Sequence, residues 1–177
     1  SFFIEDAPAF TYVYGGTKTA TKTLESTTPG NQQVLATYME NDYSGVSLSL
    51  GNTKYFDLSS IRKTGTLTFW VKAGKASTKF LVGLLDRQES DVKVQTKIAA
   101  GDYSDGPIEE GKWMQIRVPL RKFLDDGSYW DAAKGREVNR KVDWSKIQEV
   151  RFSIARDENK PGEGKPVVFY FDQVQIT

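Results

Sequence analysis

The chain has 177 residues, 24 of them basic and 23 acidic, for a formal net charge of +1. A balance this even, with the basic residues spread along the chain, argues against a surface built for nucleic acid or another polyanion. There is no cysteine and no histidine, which removes disulfides, thiol chemistry, the usual zinc ligand and every imidazole-based triad. No apolar run approaches the roughly 20 residues of a membrane-spanning helix. The chain opens Ser1-Phe2-Phe3 with no signal peptide, so it reads as a single β-rich domain, residues 1–177, cut from a longer exported protein.

In chain order, Phe2-Phe3-Ile4-Glu5 is a short apolar strand broken by Asp6 and Pro8. Residues 10–16 alternate and turn at Gly15-Gly16, and the Thr/Ser-rich stretch 17–33, with Pro29-Gly30-Asn31, reads as a loop. Strands are expected at 34–40 and 43–50 around Asn41-Asp42, then a single helical turn at 57–61. Leu67, Phe69 and Val71 alternate with Thr68, Trp70 and Lys72, the period of a strand with one face in a core. Phe80 to Leu85 is a continuous apolar run suited to a central strand, and in 91–98 Val92, Val94 and Ile98 alternate with Lys93, Gln95 and Lys97. After a polar loop at 101–110 comes Trp113-Met114-Gln115-Ile116-Arg117-Val118. Pro119 stops that strand, and Leu120 and Phe123 should hook back under the sheet. Residues 124–146 read as irregular, and strands at 147–155 and 167–176 close the chain. There is no sustained 3.6-residue periodicity. The expected fold is all-β: a two-sheet antiparallel sandwich with minimal helix.

The order of the motifs is specific. Leu-Thr-Phe-Trp-Val-Lys (67–72) is followed by Gly-Lys-Trp-Met-Gln-Ile-Arg-Val-Pro-Leu-Arg-Lys-Phe (111–123), by Val-Asp-Trp-Ser-Lys-Ile-Gln-Glu-Val-Arg-Phe (142–152), and by Phe-Tyr-Phe-Asp-Gln-Val-Gln-Ile (169–176). This resembles the galactose-binding-like jelly roll of carbohydrate-binding modules, family eleven and its bacterial relatives in particular. The likeness is carried by residues 65–176. It implies a non-catalytic, extracellular or cell-surface bacterial module that binds a polysaccharide such as a β-glucan. Such a module is fused to a glycoside hydrolase or belongs to a surface glycan-binding protein, and is expected to be monomeric, with no nucleic-acid partner and no membrane insertion.

Pyranose rings stack their C–H faces on Trp or Tyr while their hydroxyls need fixed polar partners, so a sugar groove requires exposed rings beside polar side chains. Alternation turns Trp70 outward on its strand and Arg151 outward on 147–155, and the family pattern implies that these two strands share a sheet, with Trp70 near Arg151. Tyr129 and Trp130 fall in the loop where the family contacts ligand. Tyr14, before Gly15-Gly16, and Tyr43, opening a strand after Asn41-Asp42, match ligand-side regions. The resemblance also implies a structural calcium shared by Glu5 and Asp172 with backbone carbonyls. The family usually reads Asp-Phe-Glu after its first strand, where this chain has Glu5-Asp6-Ala7-Pro8. Two other functions compete. A jelly-roll glycosidase needs two matched carboxylates, a lyase without histidine needs a Tyr base, and neither motif is present. A protein–protein adhesion sandwich explains the sheets but not the Tyr129-Trp130 segment.

Overall fold

In the computed structural model, the described residues are 10–23, 33–41, 43–51, 54–74, 79–86, 93–154 and 165–177. Among these residues twelve strands follow one another: β1 (Phe10–Tyr14), β2 (Thr17–Thr23), β3 (Gln33–Met39), β4 (Gly45–Ser49), β5 (Thr66–Ala73), β6 (Leu81–Asp86), β7 (Gln95–Ala99), β8 (Trp113–Pro119), β9 (Asp126–Asp131), β10 (Arg136–Lys141), β11 (Ile147–Ser153) and β12 (Val167–Ile176). They pair antiparallel into a seven-stranded sheet, β1-β4-β11-β6-β7-β9-β10, and a five-stranded sheet, β2-β3-β12-β5-β8. The two face each other as a jelly-roll sandwich. Among the described residues only short 3-10 turns interrupt the strands, at Ser59–Ile61, Ala100–Tyr103, Leu120–Lys122 and Trp144–Lys146. Among the described residues no helix is long and apolar enough to cross a membrane.

Alternation decides what enters the space between the sheets. Leu67, Phe69 and Val71 of β5, Ile116 and Val118 of β8, and Phe169 and Phe171 of β12 face inward from one side. Val46 and Leu48 of β4, Val82 and Leu84 of β6, and Val150 and Phe152 of β11 meet them from the other. At the centre, the Phe152 and Phe171 rings stack across the sandwich with centroids 3.9 Å apart, and Phe69 meets Phe152 edge-on at 4.9 Å. After Pro119 the chain hooks back, leaving Leu120 and Phe123 fully buried.

Two segments expected to be irregular are strands. Thr17–Thr23 is the edge strand β2. It carries β-branched residues at every second position but no apolar face, so alternation of hydrophobicity could not reveal it. The second lies within 124–146, which contains the hairpin β9–β10. The tip of that hairpin is closed by Asp131 Oδ1, which accepts from the backbone N–H groups of Ala133 and Lys134 at 3.1 Å, and by Gly135 at φ +60°. A hydrogen-bonded lattice anchors the approach to this hairpin. Trp144 Nε1 donates to Asp125 Oδ1 at 2.9 Å, Arg62 stacks 3.9 Å above the Trp144 ring, and Arg62 donates to the carbonyls of Leu120 and Phe123.

Candidate glycan-binding groove

The outer face of the seven-stranded sheet is where polar and aromatic groups gather. Residues that alternate with the core point there: Tyr12 and Tyr14 on β1; Gly45, Ser47 and Ser49 on β4; Glu149, Arg151 and Ser153 on β11; Gly83 on β6; Gln95 and Lys97 on β7; Ser128 and Trp130 on β9; Glu137 on β10. The register aligns them in rows, with Tyr12 opposite Ser47, Ser47 opposite Arg151, Arg151 opposite Gly83, Gln95 opposite Ser128, and Trp130 opposite Glu137. Five strand intervals separate β1 from β9, about 24 Å at the usual strand spacing. From Tyr12 the row runs through Ser47, Arg151 and Gly83 to Lys97. The rims carry rings, with Tyr12 47% and Trp130 69% exposed. Between Arg151 and Trp130 lies a cavity of about 360 Å³, also lined by Lys93, Gln95, Ser128, Tyr129 and Glu137.

Arg151 is fixed from three directions. Its Nε donates to Ser47 Oγ at 2.7 Å, its terminal nitrogen reaches Glu149 at 3.4 Å, and its guanidinium lies 4.7 Å from the Tyr14 ring centroid. The hydroxyl end of Tyr14 in turn covers Gly45, where a Cβ would sit 2.1 Å from the phenol oxygen. Burial pushes the Tyr14 hydroxyl above its ordinary pKa, against the opposing pull of the Arg151 charge and a hydrogen bond with Ser153. The phenol is therefore a neutral hydroxyl at working pH. Gln95 Nε2 is buried and has no hydrogen-bond partner among the described residues. A buried donor left unmade is costly, and a sugar hydroxyl entering the cavity can accept from it.

Gly83 creates the space for that amide, because a Cβ there would stand 2.4 Å from Gln95 Nε2. A flexible amide can swing aside for a methyl group, whereas a leucine would fill the floor. Gly83→Leu is expected to abolish retardation of the protein in polysaccharide gels while its far-UV spectrum stays that of the wild type, with Gly83→Ala retaining binding. Undiminished binding by Gly83→Leu would place the groove elsewhere.

The structure brings Tyr14, Arg151 and Trp130 to one face, with Tyr129 lining the same cavity. It separates the others. Trp70 lies on β5, which pairs with β12 and β8 in the five-stranded sheet, whereas Arg151 lies on β11, which pairs with β4 and β6. The expected neighbourhood of Trp70 and Arg151 is thus corrected: they stand on opposite outer faces of the sandwich. Alternation says that a side chain points outward but not from which sheet. Tyr129 and Trp130 are consecutive strand residues rather than loop residues, and they point to opposite sides. Only Trp130 projects outward, while the Tyr129 ring packs against the core with Arg140 5.7 Å away. Tyr43 does not open a strand. It sits at φ +62° in the turn before β4, 57% exposed, and does not line the cavity. Tyr12, Lys93, Gln95, Gly83 and Glu149 went unselected from sequence. Tyr12 carried a signal, since period two places it on the same face as Tyr14.

Asp172 is fully buried at an irregularity of β12, where its Oδ1 accepts from the backbone N–H of Gln173 at 2.8 Å. Glu5 lies outside the described residues. Among the described residues no cluster of three or more Asp or Glu side chains could hold a metal.

A jelly-roll sandwich with rings at the rims and fixed hydrogen-bonding groups across one sheet face defines a glycan-binding module. The chain belongs to the family described as carbohydrate binding domain 30, which matches residues 3–177. Among solved structures it is similar to the family 30 module of the cellulosomal cellulase Cel9D-Cel44B of Clostridium thermocellum, with TM-score 0.68 and 18% identity over 99% of this chain and 95% of that one. It is also similar to the family 11 module of the same organism in complex with a β-1,3-1,4-mixed-linked tetrasaccharide, with TM-score 0.57 and 17% identity over 98% and 91%. A third likeness is to an exo-β-agarase, TM-score 0.64 and 15% identity, where the whole of this chain covers 24% of that one. At these identities the structural likenesses establish the fold. Comparison with curated proteins gave no match.

Proposed function

We propose that the chain binds the interior of a β-glucan-type polysaccharide without cleaving it, with the polymer lying across the strands of the seven-stranded sheet between Tyr12 and Trp130. The observation that carries this reading is the meeting of the exposed Trp130 ring with the Arg151 and Gln95 donors around one cavity. The glucan is taken from the mixed-linked tetrasaccharide of the family 11 relative. Binding without cleavage is supported by the family match and by the engagement of the carboxylates at hand, Glu149 by Lys93 and Arg151 and Glu137 by Ser128. Affinity gels cast with soluble β-glucans, xylans, mannans and pectins test the reading. Retardation by β-glucan, with no reducing ends released, supports it; equal migration in every gel overturns it.

The module is proposed to act outside the cell as a monomer joined to a glycoside hydrolase or a surface glycan-binding protein. The cellulosomal cellulase and the agarase support that setting, since each contains a comparable fold. Calcium shared by Glu5 and Asp172 is a separate proposal, supported by the complete burial of Asp172. On that proposal EDTA lowers the melting temperature and added calcium restores it, because a metal that binds only the folded state stabilises it by about 2.7 kcal/mol at a hundredfold excess over its Kd. An unchanged melting curve in chelator removes calcium from the account.

A further inference from the structure

The groove contains cations that a glycan site for uncharged sugars does not need as charges. Lys93 and Arg151 both line the cavity. Left unbalanced in a half-buried setting, two such charges attract carboxylated or sulfated polymers strongly. They are balanced. Glu149 stands on β11 two residues before Arg151, only 3% exposed, with one carboxylate oxygen receiving Lys93 Nζ and the other Arg151 at 3.4 Å. Glu137, on the far wall, accepts from Ser128 Oγ and lines the same cavity. Among the described residues this face also carries Lys97, exposed opposite Gly83, and Lys141, whose charge is met by Asp126 opposite it at 2.7 Å.

Burying a carboxylate costs desolvation that ion pairing barely recovers, so such a group is weak evidence for stability alone. Glu149 also contributes nothing to the space between the sheets, which its neighbours Ile147, Val150 and Phe152 fill. We propose that Glu149, seconded by Glu137, is a specificity-determining residue. It cancels the charge of Lys93 and Arg151 so that the groove rejects acidic polysaccharides, and it holds both cations in place as hydrogen-bond donors to sugar hydroxyls. This is exclusion of a wrong partner by charge, built into the site itself. The inference rests on the glycan-binding reading of this face.

Two polymers on the same backbone, hydroxyethylcellulose and carboxymethylcellulose, provide the test by affinity electrophoresis of the whole chain. The readout is the ratio of the two affinities. Glu149→Gln and Glu137→Gln should each raise the preference for carboxymethylcellulose about tenfold at low salt, the effect of removing one unit charge roughly 10 Å from a polymer carboxylate at an effective dielectric near 20. The gain should disappear at 0.5 M salt, where screening is nearly complete over that distance. Glu137 is exposed, so its variant carries the test even if Glu149→Gln fails to fold. An unchanged ratio in every folded variant overturns the proposal, as does a wild-type preference for the acidic polymer. Failure of the wild type to bind any glycan overturns the glycan reading instead. A gain of carboxymethylcellulose binding by the variants would still support charge balance in that event.

Discussion

Trp130→Ala is expected to remove polysaccharide retardation while leaving the fold intact. The ring is 69% exposed at the rim of the cavity. Substitution of an exposed side chain away from core features shifts stability by no more than about 0.5 kcal/mol, whereas truncating a core Trp costs about 3–5 kcal/mol. The binding effect is larger. Modules of this kind grip a sugar chain through few contacts, so loss of one stacking ring worth ~2 kcal/mol weakens binding about thirtyfold. Affinity electrophoresis and a thermal melt of the same sample separate the two quantities. A variant that melts well below the wild type would show Trp130 to be an anchor of the β9–β10 hairpin; one that binds undiminished would remove the ring from the site.

Phe152→Ala should do the reverse. Phe152 is fully buried, stacked on Phe171 of the opposite sheet at 3.9 Å and meeting Phe69 at 4.9 Å. Its removal opens a cavity between the two sheets, at a cost of about 3–5 kcal/mol. For a domain of this length that lowers the melting temperature by roughly 10 °C. Protein that remains folded should still bind sugar, because the adjacent Arg151 projects from the other side of the same strand. Calorimetry checks the stability, and a change under about 1 kcal/mol would contradict the packing described for the core.

The contrast between Arg151 and Phe152 shows how the fold could be read from the sequence. Wherever a strand buries one face, as with Leu67, Phe69 and Val71 or Val150 and Phe152, the period-two pattern gives both the strand and its inward side. The edge strands β2 and β10 lie at sheet margins with almost wholly polar sequences, so nothing in their hydrophobicity betrayed them. Missing β9–β10 turned Tyr129-Trp130 into a loop pair. As strand residues the two must face opposite ways, which leaves one outward ring where two were expected.

The groove was legible only in part, and for a related reason. Arg151, Tyr14 and Trp130 could be selected as outward aromatic or charged residues, but alternation alone gave Trp70 the same standing. Strand pairing then put Trp70 on the other sheet. The floor was harder still. Gly83 contributes by having no side chain, inside a run that reads as apolar core. Lys93, Gln95 and Glu149 matter through mutual placement across β6, β7 and β11, which exists only once long-range pairing has formed.

One spectrum tests the central claim most directly. The chain has four tryptophans, at positions 70, 113, 130 and 144, and each gives its own indole N–H resonance. Trp130 lies on the groove, Trp70 and Trp113 on strands of the opposite sheet, and Trp144 beneath Arg62. Titration with a mixed-linked β-glucan oligosaccharide should shift the Trp130 indole and the Gln95 side-chain amide, with the other three indoles stationary. Movement of Trp70 and Trp113 with Trp130 unchanged would put the sugar on the five-stranded sheet and contradict the account.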